Sequence, residues 1–484
     1  MKLAFRIGIL ALVALQLGGP FLPFGVRTAM SIAAALVFVT GFPLMGRGFR
    51  IAASMFLLLG AAMLAAGGKP LSEWVRASVS MTSIICIVAV MQTFSMPIRL
   101  GAYDEAIRTW LGSRFKGKRP LFMFTTFATH LLASFLNLGA IPVIVSLFGD
   151  ALKRRMPNHE RFFASAATRG YVLAALWSPG AVNLYLIVQA TGLSWSRVFL
   201  PGFLLAVSGM FLSYLLETGR NGMLGGKALG DIHEQTAGTA QDTSPPEQQV
   251  KEIKSEVGIK VEAAGARTDS RSRAWHIVAV AAAFVAVAAL MERFSLGSSS
   301  NRVVMAGAFT SLVWMLSLVR RPGISGIIRT YWTEGLLKTA DIAPFFVAMG
   351  LFSGALENSG LMDLVGPVLQ HVSAILGGAT VVPIGMLIIL GSLVGLHPFI
   401  TIVLFGKMLM LASLPIPPLT IALSLAVGGA SAYMVSPFAG VIMTVSKLMG
   451  AKASDVAIRW NWRFGILFFS TGMVFAFTWG AIFG

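Results

Sequence analysis

Long apolar runs, separated by short polar stretches, follow one another along almost the whole chain. A helix that crosses a membrane needs about 20 mostly apolar residues. Many of the runs meet this requirement, beginning with a run inside 1–27 that has no evident cleavage site and is predicted to be an extra N-terminal span. The pattern therefore predicts an all-α polytopic membrane protein with about 11 transmembrane helices.

Two of the crossing runs are interrupted near their centres. As unbroken helices, 162–191 and 418–448 would each be about 45 Å long, whereas the hydrocarbon core of a bilayer is about 30 Å thick. Pro and Gly at the interruptions disfavour a continuous helix, so each run is predicted to be a broken helix. The interrupting residues are Ser178, Pro179 and Gly180 in the first run, and Ser436 and Pro437 in the second.

Two further runs, 119–152 and 377–413, carry polar and helix-breaking residues at their centres rather than at their ends. Such centres suit the tips of re-entrant hairpins that enter and leave the membrane on one side. Irregular backbone at membrane depth is tolerated only where it is buried in protein or lines a cavity. The residues at the two predicted tips are Ser134, Asn137 and Gly139, and Ser392, Gly395, His397 and Pro398.

The composition supports membrane insertion. Hydrophobic residues make up 56% of the chain, charged residues 12%, and the mean hydropathy is +0.77. A soluble domain has about 45–50% apolar and about 25% charged residues. These values exclude a soluble enzyme, a secreted disulfide-stabilised domain and a disordered protein. The single cysteine, Cys86, excludes an internal disulfide.

The net charge of +18 is explained by membrane topology. Lys and Arg cluster just beyond the ends of apolar runs, whereas a nucleic-acid-binding protein gathers them on one face with polar or aromatic readers between them. Placing the clusters in the cytoplasm puts the N-terminus there too. We therefore expect an integral protein of a bacterial-type inner membrane, surrounded by the lipid bilayer and without a nucleic-acid partner.

The second half of the chain repeats features of the first half. Ser436 follows Ser178 by 258 positions, and Ser392 follows Ser134 by the same number. Each half is predicted to contain an odd number of crossings, which inverts the second copy relative to the first, as in many transporters. The predicted organisation is an extra span in 1–27, a first inverted repeat in 28–217, a flexible cytoplasmic linker in 218–273 and a second inverted repeat in 274–484.

The tips and breaks of the two halves are expected to meet near the bilayer midplane, where hydroxyls, amides and unwound backbone bind ligands without a fixed charge. The candidate substrate-binding residues are Ser134, Asn137, Ser178, Asn183, Ser392, His397, Ser436 and Thr444. The candidate ion-binding residues are Ser134, Asn137, Gly139, Ser392 and Gly395. The helix-breaking residues at these points are Pro179, Gly180, Pro398 and Pro437.

Each candidate has a structural alternative. Ser and Thr in membrane helices often bond to their own helix or to a neighbour. His397 has three open roles, as a proton-coupling group, a substrate donor or a cap of its hairpin tip. We find no catalytic nucleophile with its base and no set of metal ligands, and we therefore expect neither an enzyme nor a metal site.

With inverted halves that each carry a hairpin and a Ser-Pro broken helix, the chain resembles the ion transporter superfamily, and within it the divalent anion/sodium symporters that carry dicarboxylates and citrate. Members commonly have Ser-Asn-Thr at each hairpin tip; here Ser134 and Asn137 stand at the first tip, and Ser392 at the second. The resemblance implies an elevator mechanism, a homodimer, and Na⁺ as a candidate coupling ion with no other cofactor.

The function expected is secondary active transport of a small organic anion, similar to a di- or tricarboxylate, driven by a Na⁺ or H⁺ gradient. Two alternatives share this fold: an efflux permease for an inorganic anion or a metalloid, and a cation/proton antiporter. Buried Asp or Glu, which proton pumps usually use, is not evident at the predicted midplane. A membrane-embedded enzyme is a third alternative, of a different class.

Overall fold

The computed structural model describes residues 1–21, 25–101, 117–145, 148, 159–219, 270–318, 323–357, 361–437 and 439–483. This part of the chain is helical and contains no strand. Nine of its helical stretches are long and apolar enough to cross a membrane. The prediction of an all-α polytopic membrane protein is therefore confirmed. Most of the predicted linker, 220–269, and the end of the first predicted hairpin, 149–152, lie outside the described residues.

The α-helices are named here in chain order. They are α1 (Lys2–Gly18), α2 (Val26–Gly41), α3 (Arg47–Ala66), α4 (Leu71–Val79), α5 (Thr82–Thr93), α6 (Ser95–Leu100), α7 (Lys118–Leu136), α8 (His159–Ala174), α9 (Val182–Thr191), α10 (Trp195–Thr218), α11 (Ser270–Arg293), α12 (Ser299–Ser317), α13 (Ile324–Thr330), α14 (Ile342–Glu357), α15 (Leu361–Leu376), α16 (Val381–Leu393), α17 (Pro398–Leu411), α18 (Pro418–Val435), α19 (Gly440–Met449) and α20 (Trp462–Phe483).

One group of helices is called the frame: α1 to α5, α11, α12 and α14. Helices α2 to α5 pack against α14, α1 and α12 pack against α5, and α11 packs against α12. Glycines bring its helices together. A methyl group on Gly60 of α3 would lie 2.8 Å from the Cα of Phe352 in α14, and one on Gly354 would lie 2.7 Å from the Cα of Ala77 in α4. Because lipid offers no hydrophobic drive for helix association, such close backbone approach is a main source of helix packing in membranes.

The second group, called the site group, contains α7 to α10 and α16 to α20. Its centre is α18, which packs against both α16 and α20. A methyl group on Gly428 of α18 would lie 2.8 Å from the Cα of Gly385 in α16, and one on Gly472 of α20 would lie 2.7 Å from a methyl of Val427. The two predicted broken helices and the described parts of both predicted hairpins belong to this group.

Both broken helices adopt the same backbone at their interruptions. The Ser178 N–H donates to the Ala174 carbonyl at 3.0 Å, and the Ser436 N–H donates to the Ala432 carbonyl at 3.0 Å. The helices that follow, α9 and α19, are each 10 residues long. They end at Gly192 and Gly450, whose φ angles are 69° and 68°. Glycine tolerates this left-handed conformation at the end of a helix.

The two turns between helices at the predicted hairpin tips also match. After α7 the chain turns at Asn137 with φ 51°, and after α16 it turns at Gly395 with φ 103°. Asn and Gly are the residues that enter positive φ most readily. These turns lie 258 positions apart, as the interruptions do, so the repeat seen in the sequence extends to backbone conformation.

Contacts between helix ends define two ends of the molecule. The Gly46 N–H, just before α3, donates to the Asp341 carboxylate just before α14 at 2.6 Å. Because α1 packs antiparallel to α2, with Gly8 against Val37, the start of the chain lies at this same end, which we call the near end. A bond from Gln16 to Asn301 places the end of α1 beside the start of α12, at the opposite, far end.

Candidate substrate-binding site

Matched hydrogen bonds tie each helix interruption to the neighbouring tip. The Ser178 hydroxyl donates to the Ser134 carbonyl at 2.5 Å, and the Ser436 hydroxyl donates to the Ser392 carbonyl at 2.8 Å. All four serines are buried. Each tip is therefore held to the break of its own half through the hydroxyl of Ser178 or Ser436.

Removing either hydroxyl is expected to loosen the corresponding tip. Ser178→Ala and Ser436→Ala should each lower the free energy of unfolding by about 0.5–1.5 kcal/mol, the net contribution of one hydrogen bond. The measurement is thermal unfolding of the purified protein in detergent. Ser424→Ala is the matched control, because that buried hydroxyl bonds to the Thr420 carbonyl of its own helix. A larger loss in the control than in the two variants would contradict the expectation.

A small cavity lies where the first tip and the first break meet α17 and α18 of the second half. Its polar groups are the amides of Asn137 and Asn183 and the phenols of Tyr171 and Tyr433. None of the described residues that line it is acidic or basic. The lining residues are Ala133, Asn137, Tyr171, Ala175, Ala181, Val182, Asn183, Phe399 and Tyr433.

Asn183 is the most informative residue of the cavity. Its side chain is 3% exposed, and neither its amide oxygen nor its amide nitrogen has a hydrogen-bond partner in the described structure. The amide lies against Gly429, where a methyl group would come within 3.0 Å of Nδ2. A buried amide without partners costs free energy, and a ligand in the cavity would supply the missing partners.

Asn137 is held at the other side of the cavity by Tyr171. The Tyr171 hydroxyl donates to the Asn137 amide oxygen at 2.6 Å. This bond uses the acceptor of Asn137 and leaves its amide N–H groups as donors. Because the residue also occupies the left-handed turn of the tip, the bond fixes both the turn and the direction of the amide.

His397 caps a helix. Its Nδ1 atom accepts a hydrogen bond from the Phe399 N–H at 3.2 Å, at the start of α17. Its ring centroid lies 4.3 Å from that of Phe399 and 6.0 Å from that of Tyr433, two walls of the cavity. Of the three roles left open by the sequence, the structure shows the cap.

The remaining candidates lie away from the cavity lining. The Thr444 hydroxyl bonds to the Gly440 carbonyl of its own helix at 2.7 Å, and Gly139 belongs to a 3₁₀ turn after the first tip. Gly180 is enclosed instead, since a methyl group there would lie 3.0 Å from the Ser134 carbonyl oxygen. Its backbone N–H donates to the Ser178 hydroxyl at 3.2 Å, so it belongs to the tie between break and tip.

Three of the four polar groups of the cavity come from the first half. At the positions 258 residues later, the second half has no polar side chain. The counterparts of Asn137, Tyr171 and Asn183 are Gly395, Gly429 and Val441.

A buried charge that the sequence reasoning missed lies at the near end of the site group. Arg169 of α8 is 2% exposed and forms an ion pair with Glu217 of α10 at 2.8 Å. It also donates to the Asn461 amide oxygen at 3.0 Å and to the Ser213 hydroxyl at 3.2 Å. The guanidinium carbon lies 4.9 Å from the centre of the Phe464 ring. These contacts join α8 to the last helix of each half.

A signal for Arg169 was present in the sequence. It is the only charged residue in the run 162–191, and an ionisable residue inside a membrane segment is a functional or structural hypothesis by default. The aromatic walls of the cavity, Tyr171, Phe399 and Tyr433, were also missed. They carry no such signal, because aromatic residues are frequent throughout the apolar runs. Among the described residues, no cluster of three or more His, Cys, Asp or Glu side chains is arranged to hold a metal ion.

Comparison with known proteins shows a similar fold in a solved structure but no similar curated sequence. No protein-family model and no curated protein sequence matches the chain. A solved structure does: the YdaH transporter of Alcanivorax borkumensis, a crystal structure described as revealing an unusual topology, matches with a TM-score of 0.57 at 14% sequence identity. The match covers 89% of this chain and 98% of that one.

The fold is that of a membrane transporter. Together with the nine apolar helical stretches of the described residues, this likeness identifies the chain as an integral membrane protein. At this level of identity it does not single out the divalent anion/sodium symporters among transporters.

Proposed function

We propose that this chain is a secondary active transporter of a small organic anion, coupled to a gradient of Na⁺ or H⁺. The observation that carries the proposal is the buried, unpartnered amide of Asn183 in a cavity of the site group. A transporter must release its substrate on each cycle, and neutral donors bind an anion without holding it as a fixed positive charge does.

The polarity of the cavity favours an anion. Its groups include amide N–H and phenol O–H donors, and no carboxylate competes for them. The helix α9 begins at Val182, in the cavity wall, so the free backbone N–H groups of its first turn add partial positive charge there. Carboxylate oxygens accept hydrogen bonds from all of these groups.

The location of the cavity supports an elevator mechanism. Every lining residue belongs to the site group, and none belongs to the frame. A substrate bound there can cross the membrane with the site group while the frame stays in place. We further propose that the chain forms a homodimer through the frame. The dimer lies in a bacterial-type inner membrane with the N-terminus in the cytoplasm.

The alternatives make different demands on the site. A cation/proton antiporter needs a buried carboxylate where the cation binds, and the cavity lining has none. An efflux permease for an inorganic anion or a metalloid would use the same neutral donors, so the choice of substrate separates it from the leading proposal. Unlike a carboxylate, an inorganic oxyanion has no carbon skeleton to contact Phe399 and Tyr433.

The test is uptake into proteoliposomes. We expect accumulation of at least one member of a panel of labelled mono-, di- and tricarboxylates, in a way that depends on an imposed Na⁺ or proton gradient. Liposomes without protein are the control for leakage. Transport of arsenite or phosphate with no uptake of any carboxylate would favour the permease, and uptake without any gradient dependence would contradict secondary active transport.

A further inference from the structure

Polar contacts join the site group to the frame at the far end. Helix α10 begins there, because the Trp195 N–H donates to the Ser299 hydroxyl at the start of α12 at 3.2 Å. The neighbouring Ser196 hydroxyl donates to the Glu292 carboxylate at 2.6 Å. Two further contacts are a hydrogen bond from Gln189 to the Ser80 carbonyl and an ion pair between Lys407 and Glu357.

Three of the four contacts lie at one end of the membrane-spanning part. Glu292 and Glu357 stand at the ends of α11 and α14, and Ser299 stands at the start of α12. These positions belong to the end opposite the start of the chain. The fourth contact lies deeper, because the Ser80 hydroxyl donates to the Gly350 carbonyl at the middle of α14.

The tips of the site group contact the frame nearer the other end. The ring centroids of His397 and Phe49 are 5.7 Å apart, and Phe49 is in the first turn of α3, which begins at the near end. Phe399 lies 5.8 Å from Phe346, in the second turn of α14. At the first tip, Phe135 lies 5.4 Å from Phe94, just past the near end of α5. Both tips are thus displaced toward the near end.

We propose that these four contacts, three of them at the far end, form a latch that holds the site group in this near-end position and closes the far side of the cavity. The proposal rests on the proposed function, because a latch is needed only if the site group moves. In the predicted topology the near end is cytoplasmic, so the described state faces inward and the latch is the outer closure.

The strength of the latch suits a moving part. Single hydrogen bonds and partly exposed ion pairs each change an equilibrium constant by about two- to tenfold. Several together bias a two-state equilibrium strongly without locking it. They also involve three different elements of the site group, the end of α9, the start of α10 and the hairpin arm α17, and so resist both translation and tilting.

The test measures access to the cavity and needs no substrate. In a Cys86→Ala background, Ala175→Cys places a reporter thiol in the cavity lining. A membrane-impermeant thiol reagent is added outside intact cells, and the labelling rate is followed. Adding Ser196→Ala with Lys407→Met removes two latch contacts and should raise the outside labelling rate by about tenfold.

The matched control combines Ser208→Ala with Arg76→Met. The Ser208 hydroxyl bonds within α10, to the Leu205 carbonyl, and Arg76 pairs with Glu73 inside the frame. The control should label at the rate of the parent. If the latch variant elutes as folded protein and labels at the parent rate, or if the control accelerates as much, the latch is refuted.

A second variant guards against misfolding. Glu357→Gln removes only the ion pair, at a side chain that is 36% exposed, and should raise labelling in the same direction by about two- to fivefold. An unchanged rate in folded Glu357→Gln and in folded Lys407→Met also overturns the proposal. Because labelling is independent of substrate, failure of anion uptake with accelerated labelling would reject the proposed substrate and leave the latch standing.

Discussion

Asn183→Leu should weaken binding of the transported anion by about 10- to 100-fold and at the same time make the empty protein more stable. Loss of the hydrogen bond that the Asn183 amide nitrogen donates to the anion accounts for the first effect. The second effect follows because leucine has nearly the shape of asparagine and removes two buried polar atoms that have no partners in the described structure. Relief of that burial is worth about 1–3 kcal/mol.

Opposite signs distinguish a binding residue from a structural one. Substitution of a side chain that holds the fold lowers both the stability of the protein and its affinity for the ligand. Substitution of a residue that is polar because it binds a ligand lowers the affinity and raises the stability. The measurements are thermal unfolding in detergent without ligand, and the increase in unfolding temperature on adding the carboxylate that is transported best. The ligand-induced increase should largely disappear in Asn183→Leu.

Thr191→Val is the matched control on the same helix. Its hydroxyl is buried and bonds to the Ile187 carbonyl one turn earlier, and valine keeps the branched shape. We expect little change in affinity and at most a small loss of stability. An Asn183→Leu protein that binds the anion as tightly as the parent would remove the main support for the proposed site.

Glu217→Gln should cost about 3–5 kcal/mol of stability, because it leaves the buried Arg169 guanidinium without its counter-charge. The substitution keeps the size of the side chain and one hydrogen-bonding oxygen, so the loss reports on charge rather than on packing. The effect should appear as a large drop in unfolding temperature in detergent and a low yield of folded protein.

Removing both charges should restore much of the stability. The double variant Arg169→Met with Glu217→Leu replaces the pair by apolar side chains, an exchange that is often neutral or stabilising in other proteins. Asn461 and Ser213 lose partners in the double variant, so we expect incomplete recovery. If the double variant loses as much stability as Arg169→Met and Glu217→Leu lose together when each is made alone, the ion pair is not the reason for burying Arg169.

A surface pair provides the control for this prediction. Arg459 and Asp455 lie 3.8 Å apart with the arginine side chain 77% exposed. Arg459→Met should cost less than about 1 kcal/mol, as is usual for exposed pairs. Comparable losses in Arg459→Met and Glu217→Gln would indicate a general effect of charge removal rather than one of burial.

The repeat and its breaks were within reach of sequence reasoning because they depend on local chemistry. Pro and Gly interrupt helices wherever they stand, and a spacing of 258 that recurs at Ser178 and Ser134 marks the two copies. The same chemistry does not give side-chain direction. The hydroxyls of Ser178 and Ser436 bond to the tips. The sequence alone does not distinguish this orientation from one in which the hydroxyls face the cavity.

The walls of the cavity were beyond reach for another reason. Tyr171, Phe399 and Tyr433 come from three different helices that meet only in the folded chain. In a sequence with aromatic residues at 10%, no local pattern separates an aromatic side chain that faces a ligand from one that fills the core. Asn183 could be named from the sequence because it follows the first break, where an amide can bind a ligand without placing a fixed charge in the membrane.

The likeness of the two halves in backbone and their difference in side chains have a consequence for how substrate preference changes. The ties between tips and breaks exist twice, so the geometry of the site is redundant, whereas the polar side chains of Asn137, Tyr171 and Asn183 have no second copy. Under the proposed function, single substitutions at these three positions should alter which molecule is carried and leave intact the doubled architecture that moves it.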